Sequence, residues 1–511
     1  MLLNRHRDEY QRIARDSLDS SLPSDSEFQT FEIERQSRGR RSFASAFRRW
    51  KSGHGTHVRL SRSSKTWRLL LRCAVAAASL LAVYIAFTPI FNPSYSRRPS
   101  HYTGTNPHNE KVFIAANIVD ESLIRGAWGA AILELIDVLG VDNVFLSIYE
   151  NDSGSGTKAA LKELRNKVKC KSAIASGHID LDTFPPVQIL PDELRVKRVA
   201  YLAEVRNMAI QPLVTGSAGK FDKLLFVNDI VFSPQDAADL LFATKIGPDG
   251  RTHYHAACAM DFVNSVKFYD TFALRDSEGH NIGVPFFPWF TGAGHGISRK
   301  DVLSGTDAVR VKSCWGGMVA FEAKWFEANK TDVTAPSLEF RAEQEIFWEA
   351  SECCLIHADL AAAVSATDHG HTEPFDSGIY VNPYIRVAYD ATTFSWLEFT
   401  RRFERLYAVP HSWLNWIVGR PTFQPRREEE PGDKVMHQEW VFDGPQLKAR
   451  ANRDDLTTEV QEHGHWETVG RRARPGGFCG SRMLLVLKKH WDAGERMWEH
   501  IPAPAGVKDY R

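Results

Sequence analysis

Leu224-Leu225-Phe226-Val227-Asn228-Asp229-Ile230-Val231-Phe232 is the stretch on which the fold turns. Residues 223–227 read as a short buried strand, so Asp229 stands just past its carboxyl end. An Asp in that place either faces a ligand or caps the turn before Ser233-Pro234. Working outward, two more apolar runs, 112–116 and 144–149, have the same strand character. Between the strands lie helical patterns. One is capped at Ser122, carries Leu123, Ala127, Ala131, Leu135 and Val138 on one side, and stops at Gly140. A second starts at Thr157 with Leu161, Leu164 and Val168, and a third covers 193–210. Strands alternating with helices predict an α/β fold: a Rossmann-type, mostly parallel sheet flanked by helices, with right-handed crossovers. Such sheets bind ligands beyond the carboxyl ends of their strands.

Lys+Arg and Asp+Glu are equal at 63 each, which excludes a nucleic-acid-binding charge balance. The balance hides a local excess. Arg48, Arg49, Lys51, Arg59, Arg62, Lys65, Arg68 and Arg72 occur over 48–72 without one Asp or Glu. An uncharged run, 73–91, follows at once; about 20 apolar residues cross a bilayer as a helix. Trp67, Tyr84 and Tyr95 suit the two interfaces. A polar stretch of some seventy residues comes first, against a cleaved signal peptide. The positive-inside rule keeps the arginines cytoplasmic and sends the rest to the lumen. The expected division is a disordered basic tail (1–66), a transmembrane signal anchor (67–91), a polar stem (92–110), a catalytic domain (111–420) and a charged extension (421–511). Part of the extension, 421–475, reads as wrapping the surface or partly flexible. Cys170, Cys258, Cys314, Cys353, Cys354 and Cys479 fall in a compartment that permits disulfides, with pairing left open. Asn329-Lys330-Thr331 is a glycosylation sequon that fits a lumenal face.

Candidate chemistry sits after the strands. Asn117 follows the first. The acidic, Gly-rich turn Glu150-Asn151-Asp152-Ser153-Gly154 follows the second, with Asp152 either accepting from a ribose or base or lying in a solvated turn. Neither a Walker loop nor a Gly-x-Gly-x-x-Gly fingerprint is present. Arg206 and Asn207, on the third helix, offer a guanidinium and an amide for a diphosphate. Aromatic residues including Phe286, Trp289, Trp315 and Trp348 suit a sugar-facing surface or a core. An Asp closing a strand, as Asp229 does, is how transferases of the GT-A architecture hold a divalent cation against a donor diphosphate. Here Asn228 stands where the usual Asp-x-Asp would have an acid.

The chain resembles the fungal cryptococcal mannosyltransferase and capsule-associated protein family, glycosyltransferase family 69, from about 111 to 400. The likeness is carried by Phe226-Val227-Asn228-Asp229-Ile230-Val231-Phe232, Ala257-Cys258-Ala259-Met260-Asp261-Phe262, Ser313-Cys314-Trp315-Gly316-Gly317-Met318 and Ser351-Glu352-Cys353-Cys354-Leu355-Ile356-His357-Ala358-Asp359. It implies a GT-A-like, retaining, α-1,3-mannosyltransferase of the Golgi membrane. The implied donor is GDP-mannose, the implied cation Mn2+ or Mg2+, and the implied acceptor a mannose-containing glycan. Against this frame Asp229, Asn228 and His357 are the expected metal residues. Glu352, Asp261 and Glu343 are the expected catalytic residues, with Glu345 in reserve. Asn117, Asp152, Arg206 and Asn207 are expected at the nucleotide, and Trp315, Gly316 and Gly317 at a sugar. The alternatives are another donor such as UDP-xylose or UDP-galactose, or a non-catalytic, membrane-anchored glycan-binding scaffold.

Overall fold

A computed structural model describes residues 64–190, 193–327, 337–367, 374–443, 464–489 and 496–507. The sequon at 329–331 and the tail before residue 64 lie outside the described residues. The described residues fall into two units, divided between Pro93 and Ser94. The first holds helix α1, Ser64–Phe91. Its 25 residues Trp67–Phe91 are apolar enough to cross a membrane, and residues 67–87 are all exposed. At about 1.5 Å per residue they reach about 37 Å, longer than a hydrocarbon core of about 30 Å.

The second unit is built on nine strands: β1 (Val112–Asn117), β2 (Val144–Asn151), β3 (Lys171–Gly177), β4 (Lys223–Val227), β5 (Ala256–Phe262), β6 (Arg275–Asp276), β7 (Val309–Ser313), β8 (Met318–Glu322) and β9 (Ile379–Ala388). Their order across the sheet is β3-β2-β1-β4-β8-β5-β9-β7-β6. β1 to β4 are parallel, with Phe113 level with Phe145 on one side and Leu224 on the other. β8 runs antiparallel between β4 and β5, and β9 returns parallel to β5. All residues of β1, β4, β5 and β9 are buried, because helices cover both faces and leave no polar side to alternate with.

The helix predicted from Ser122 is two. Asp120, not Ser122, caps α2 (Glu121–Arg125), its Oδ1 accepting the backbone N–H of Ser122 and Leu123. The chain breaks at Gly126 and restarts as α3 (Ala127–Leu139). The break turns Trp128 inward, where its Nε1 donates to the carbonyl of Asn228 at 2.9 Å. α4 (Ser155–Arg165) precedes β3. α5 (Arg198–Val214), α6 (Pro234–Phe242), α7 (Ile297–Ser304), α8 (Glu352–Thr367), α9 (Ala391–Thr400) and α10 (Ala408–Val418) complete the helices used below.

Residues 94–110, read from sequence as a stem, pack into this unit. Tyr95 is buried with its hydroxyl on the Val302 carbonyl, and Arg98 pairs with Asp236 at 2.5 Å. The C-terminal segment is also joined to it. Cys354 on α8 is disulfide-bonded to Cys479, and Cys258 on β5 to Cys314. Trp440, Leu484, Val486 and Ile501 form one apolar cluster with Ile189, Leu190 and Phe347.

Candidate active site

β4 delivers Asp229 to the sheet's carboxyl edge. The Asn228 N–H donates to the Gly317 carbonyl, and the Ile230 N–H turns back onto Asn228. Val231 then pairs with Ala388 in both directions, at 2.7 and 3.1 Å. The cap of α6 is Ser233, whose hydroxyl accepts the Asp236 N–H. The Val231–Ala388 bridge sets residues 229–231 antiparallel to 388–390. Tyr389, from the end of β9, donates to Asp261 Oδ2 at 2.8 Å, and Asp261 closes β5. Asp261 Oδ1 accepts the Asp270 N–H at 3.1 Å. Asp270 in turn accepts from the N–H of Ala273 and Gly316. Burial raises the Asp270 pKa. Asp390 caps α9 through the Thr393 N–H. The ends of β4, β5 and β9 therefore bring Asp229, Asp261, Asp270 and Asp390 to one neighbourhood.

The ends of β1 and β2 form the adjoining part. Asn117 Nδ2 donates to the carbonyls of Tyr149 and Val205 at 3.0 and 2.9 Å, while its Oδ1 is buried without a hydrogen-bond partner. Glu150 is fully buried. Its Oε1 accepts the Ser153 N–H, and its Oε2 and the Ser153 hydroxyl have no partner. Asp152 sits at φ 53°, with one oxygen 2.8 Å from His178 Nδ1 and the other accepting from Asn151. Asn151 also donates to Tyr201, whose hydroxyl burial pushes up to about 12.

Residues 111–359 match the family described as Cryptococcal mannosyltransferase 1. That stretch, just under half of the chain, belongs to the family. It is a glycosyltransferase. Among solved structures it is similar to the mannosyltransferase PcManGT from Pyrobaculum calidifontis in complex with GDP-Man and Mn2+, at 8% identity over 70% of this chain and 75% of that one, TM-score 0.31. It is also similar to residues 1–349 of S. aureus TarS in complex with UDP, at 12% identity over 60% of this chain and 69% of that one, TM-score 0.27. No curated protein matches the chain. The fold assignment rests on the sheet order given above.

In this glycosyltransferase several residues expected at ligands are scaffold. Arg206 is enclosed: its Nε donates to Glu352 Oε1 at 3.0 Å and its Nη1 to Asn228 Oδ1 at 3.3 Å. Its guanidinium lies 4.5 Å from the centre of the Trp315 ring and 5.2 Å from that of Phe226. Burial opposes its charge, but Cys353, Glu352 and Asp229 outweigh that and hold its pKa above the ordinary value. Arg206 and Glu352 are thus a buried ion pair rather than a diphosphate clamp and an acceptor-facing acid. Asn228 Oδ1 already accepts from Trp315 Nε1 and Arg206, which fills a carbonyl's two acceptor positions and removes it from a metal shell. Trp315 is buried against Phe226 and Phe340 and offers no face to a sugar.

Gly316 and Gly317, at φ 59° and 71°, serve close backbone packing. A Cβ on Gly316 would stand 1.9 Å from the Ala259 carbonyl oxygen, and one on Gly317 would stand 2.9 Å from Ile230. Asn207 clamps the backbone of Phe340 in both directions. His357 is fully buried, with Nδ1 2.8 Å from the Cys353 carbonyl and Nε2 against the Cys258–Cys314 disulfide. Burial lowers its pKa to about 4. Bridged sulfurs are not thiolate ligands, so that trio is packing and not a metal shell. Glu343 pairs with Arg341, and Glu345 with Arg426. Both line a cavity of 680 Å³ shared with Trp348, Trp440 and Arg471. Sequence reading missed Asp270, Tyr389 and Asp390. The last two follow a strand, which was the available signal.

Proposed function

We propose that this glycosyltransferase moves mannose from GDP-mannose to a mannose-containing glycan in α-1,3 linkage, with retention, at the lumenal face of the Golgi membrane. The observation that carries the reading is the gathering of Asp229, Asp261 and Asp390 at three strand ends, in a chain of this family. These are oxygen donors only, the chemistry that Mn2+ or Mg2+ prefers, so the residues fit such a cation. Asp229 and Asp390 would hold it; a bound divalent cation offsets the charge of a departing diphosphate. Asp261, fixed by Tyr389 and the Asp270 N–H, orients the sugar side of the donor. The buried oxygens of Asn117, Glu150 and Ser153 are placed to meet hydroxyl and amino groups of the nucleoside, beside Asp152. Retention follows from α donor and α product; the acceptor proton passes either to a carboxylate or to the leaving phosphate.

The test is incubation of the full chain in detergent with GDP-mannose, UDP-xylose and UDP-galactose, each with Mn2+ and α-mannobiose. Mannosyl transfer from GDP-mannose that stops with chelator is the expected result. Transfer from a uridine donor instead overturns the sugar. An inert protein that binds the glycan overturns catalysis.

A further inference from the structure

α10 has its sides reversed. His411 and Asn415, four residues apart, are buried in it. His411 Nε2 meets the Val284 carbonyl, Asn415 Oδ1 accepts the Val284 N–H, and Arg299 of α7 reaches His411 and the Ala408 carbonyl. On the other side Val409, Trp413 and Trp416 are 66, 70 and 84% exposed. Their spacing of four and three residues puts them on one face. Leu414, Ile417 and Val418 are exposed beside them. α9 adds exposed Trp396 and Phe399, with rings 5.8 Å apart, and Phe423 follows α10. A helix on the surface of a water-soluble body packs its apolar stripe inward. Here polar groups hold the helix to the body and the apolar side faces out.

Chain connectivity names what covers this face. α1 ends at Phe91, and only Asn92 and Pro93 separate it from Ser94. The Ser94 hydroxyl donates to Glu404 at 2.6 Å. Glu404 lies in the 3-10 turn Arg401–Tyr407, the junction of α9 and α10. Tyr95, the next residue, is anchored on Val302. Three residues of extended chain reach about 10 Å, so the junction of the aromatic helices is tethered that closely to the end of the membrane-length helix. Tryptophan has an apolar body and a polar edge and concentrates where acyl chains meet headgroups.

We propose that the outward face of α9 and α10 is a second membrane contact, lying in the lipid interface beside the point where the chain leaves the bilayer. The proposal rests on α1 being the bilayer span. It is tested with the full chain reconstituted in phosphocholine vesicles whose acyl chains carry bromine, a tryptophan quencher. The variant Trp396→Phe/Trp413→Phe/Trp416→Phe keeps the rings and removes the reporters. The lipid-quenched part of the emission is expected to fall by about twofold or more in this variant, Trp67 supplying the remainder. An unchanged quenched part overturns the proposal. So does sedimentation as a dimer that Trp413→Ser/Trp416→Ser converts to a monomer, which assigns the face to a second copy. Failure of the full chain to float with vesicles removes the tether and the proposal with it. Turnover of GDP-mannose in detergent reads the catalytic assignment separately.

Discussion

Arg206 and Glu150 are both buried charged residues near strand ends, and they live in opposite settings. Around Arg206 every neighbour answers another: Glu352, Asn228 and the faces of Trp315 and Phe226 enclose it. Around Glu150, one carboxylate oxygen, the Ser153 hydroxyl and the Asn117 carbonyl are buried without a hydrogen-bond partner. A buried polar group left unanswered inside the protein carries a desolvation cost that a ligand can remove. The closed cluster therefore stabilises the fold, and the open one is the part we propose for the ligand.

The strongest way to break that contrast is Arg206→Ala. It strands Glu352 in the interior and is expected to lower stability by about 3–5 kcal/mol, read from urea unfolding. Arg206→Met with Glu352→Leu, which removes both charges, should recover much of the loss. A single variant as stable as wild type would show that the cluster is not closed. Asp229→Ala should do the reverse. Transfer is expected to fall on the order of 10²–10³-fold while the melting temperature holds, because the lost group serves developing charge and not packing. Full activity with metal present would remove Asp229 from the site.

A smaller effect separates the two regions by pH. An unfolded His357 takes up a proton below about pH 6.5, whereas the folded one, with a pKa of about 4, stays neutral. The unfolded state then binds more protons between those values, so stability falls as pH drops from 6.5 toward 4 and is flat above. The slope is at most about 1.4 kcal/mol per pH unit for this group, and His411, also lowered to about 4, adds its own. His357→Gln should reduce the slope measured by urea midpoints at pH 7 and 5; an unaltered slope would mean that His357 titrates normally. The smallest effect is expected from Ser153→Ala. Its hydroxyl has no partner inside, so stability should not change, while KM for the nucleotide sugar rises roughly tenfold, the worth of about one hydrogen bond to a ligand. An unchanged KM would close the β1–β2 edge to the donor.

Three strands of the parallel half were legible because they are short apolar runs separated by helices of clear period; β1, β2 and β4 lie where those runs lie, whereas the largely exposed edge strand β3 carries no such run. The second half was not. β8 enters the sheet antiparallel and out of chain order, and no local pattern encodes a partner so distant. The conspicuous residues misled for the same reason. Trp315, the paired glycines, Glu352 and His357 are distinctive because packing admits few alternatives at those points, as the 1.9 Å approach at Gly316 shows. Phe287, Trp289, Phe290 and Trp348 are core, while Trp396, Trp413 and Trp416 are exposed, which composition alone does not distinguish.

By itself the sequence determined an apolar helix of membrane length, an α/β domain and an acid just past the end of the strand 223–227, since each is written in contiguous residues whose periodicity or hydrophobicity acts locally. Only the tertiary structure decided which polar groups answer one another, which cysteines pair, and that α10 turns its apolar side outward. Those depend on contacts between residues up to 310 positions apart, such as Ser94 and Glu404. Burial is a property of the whole chain, and no segment carries it alone.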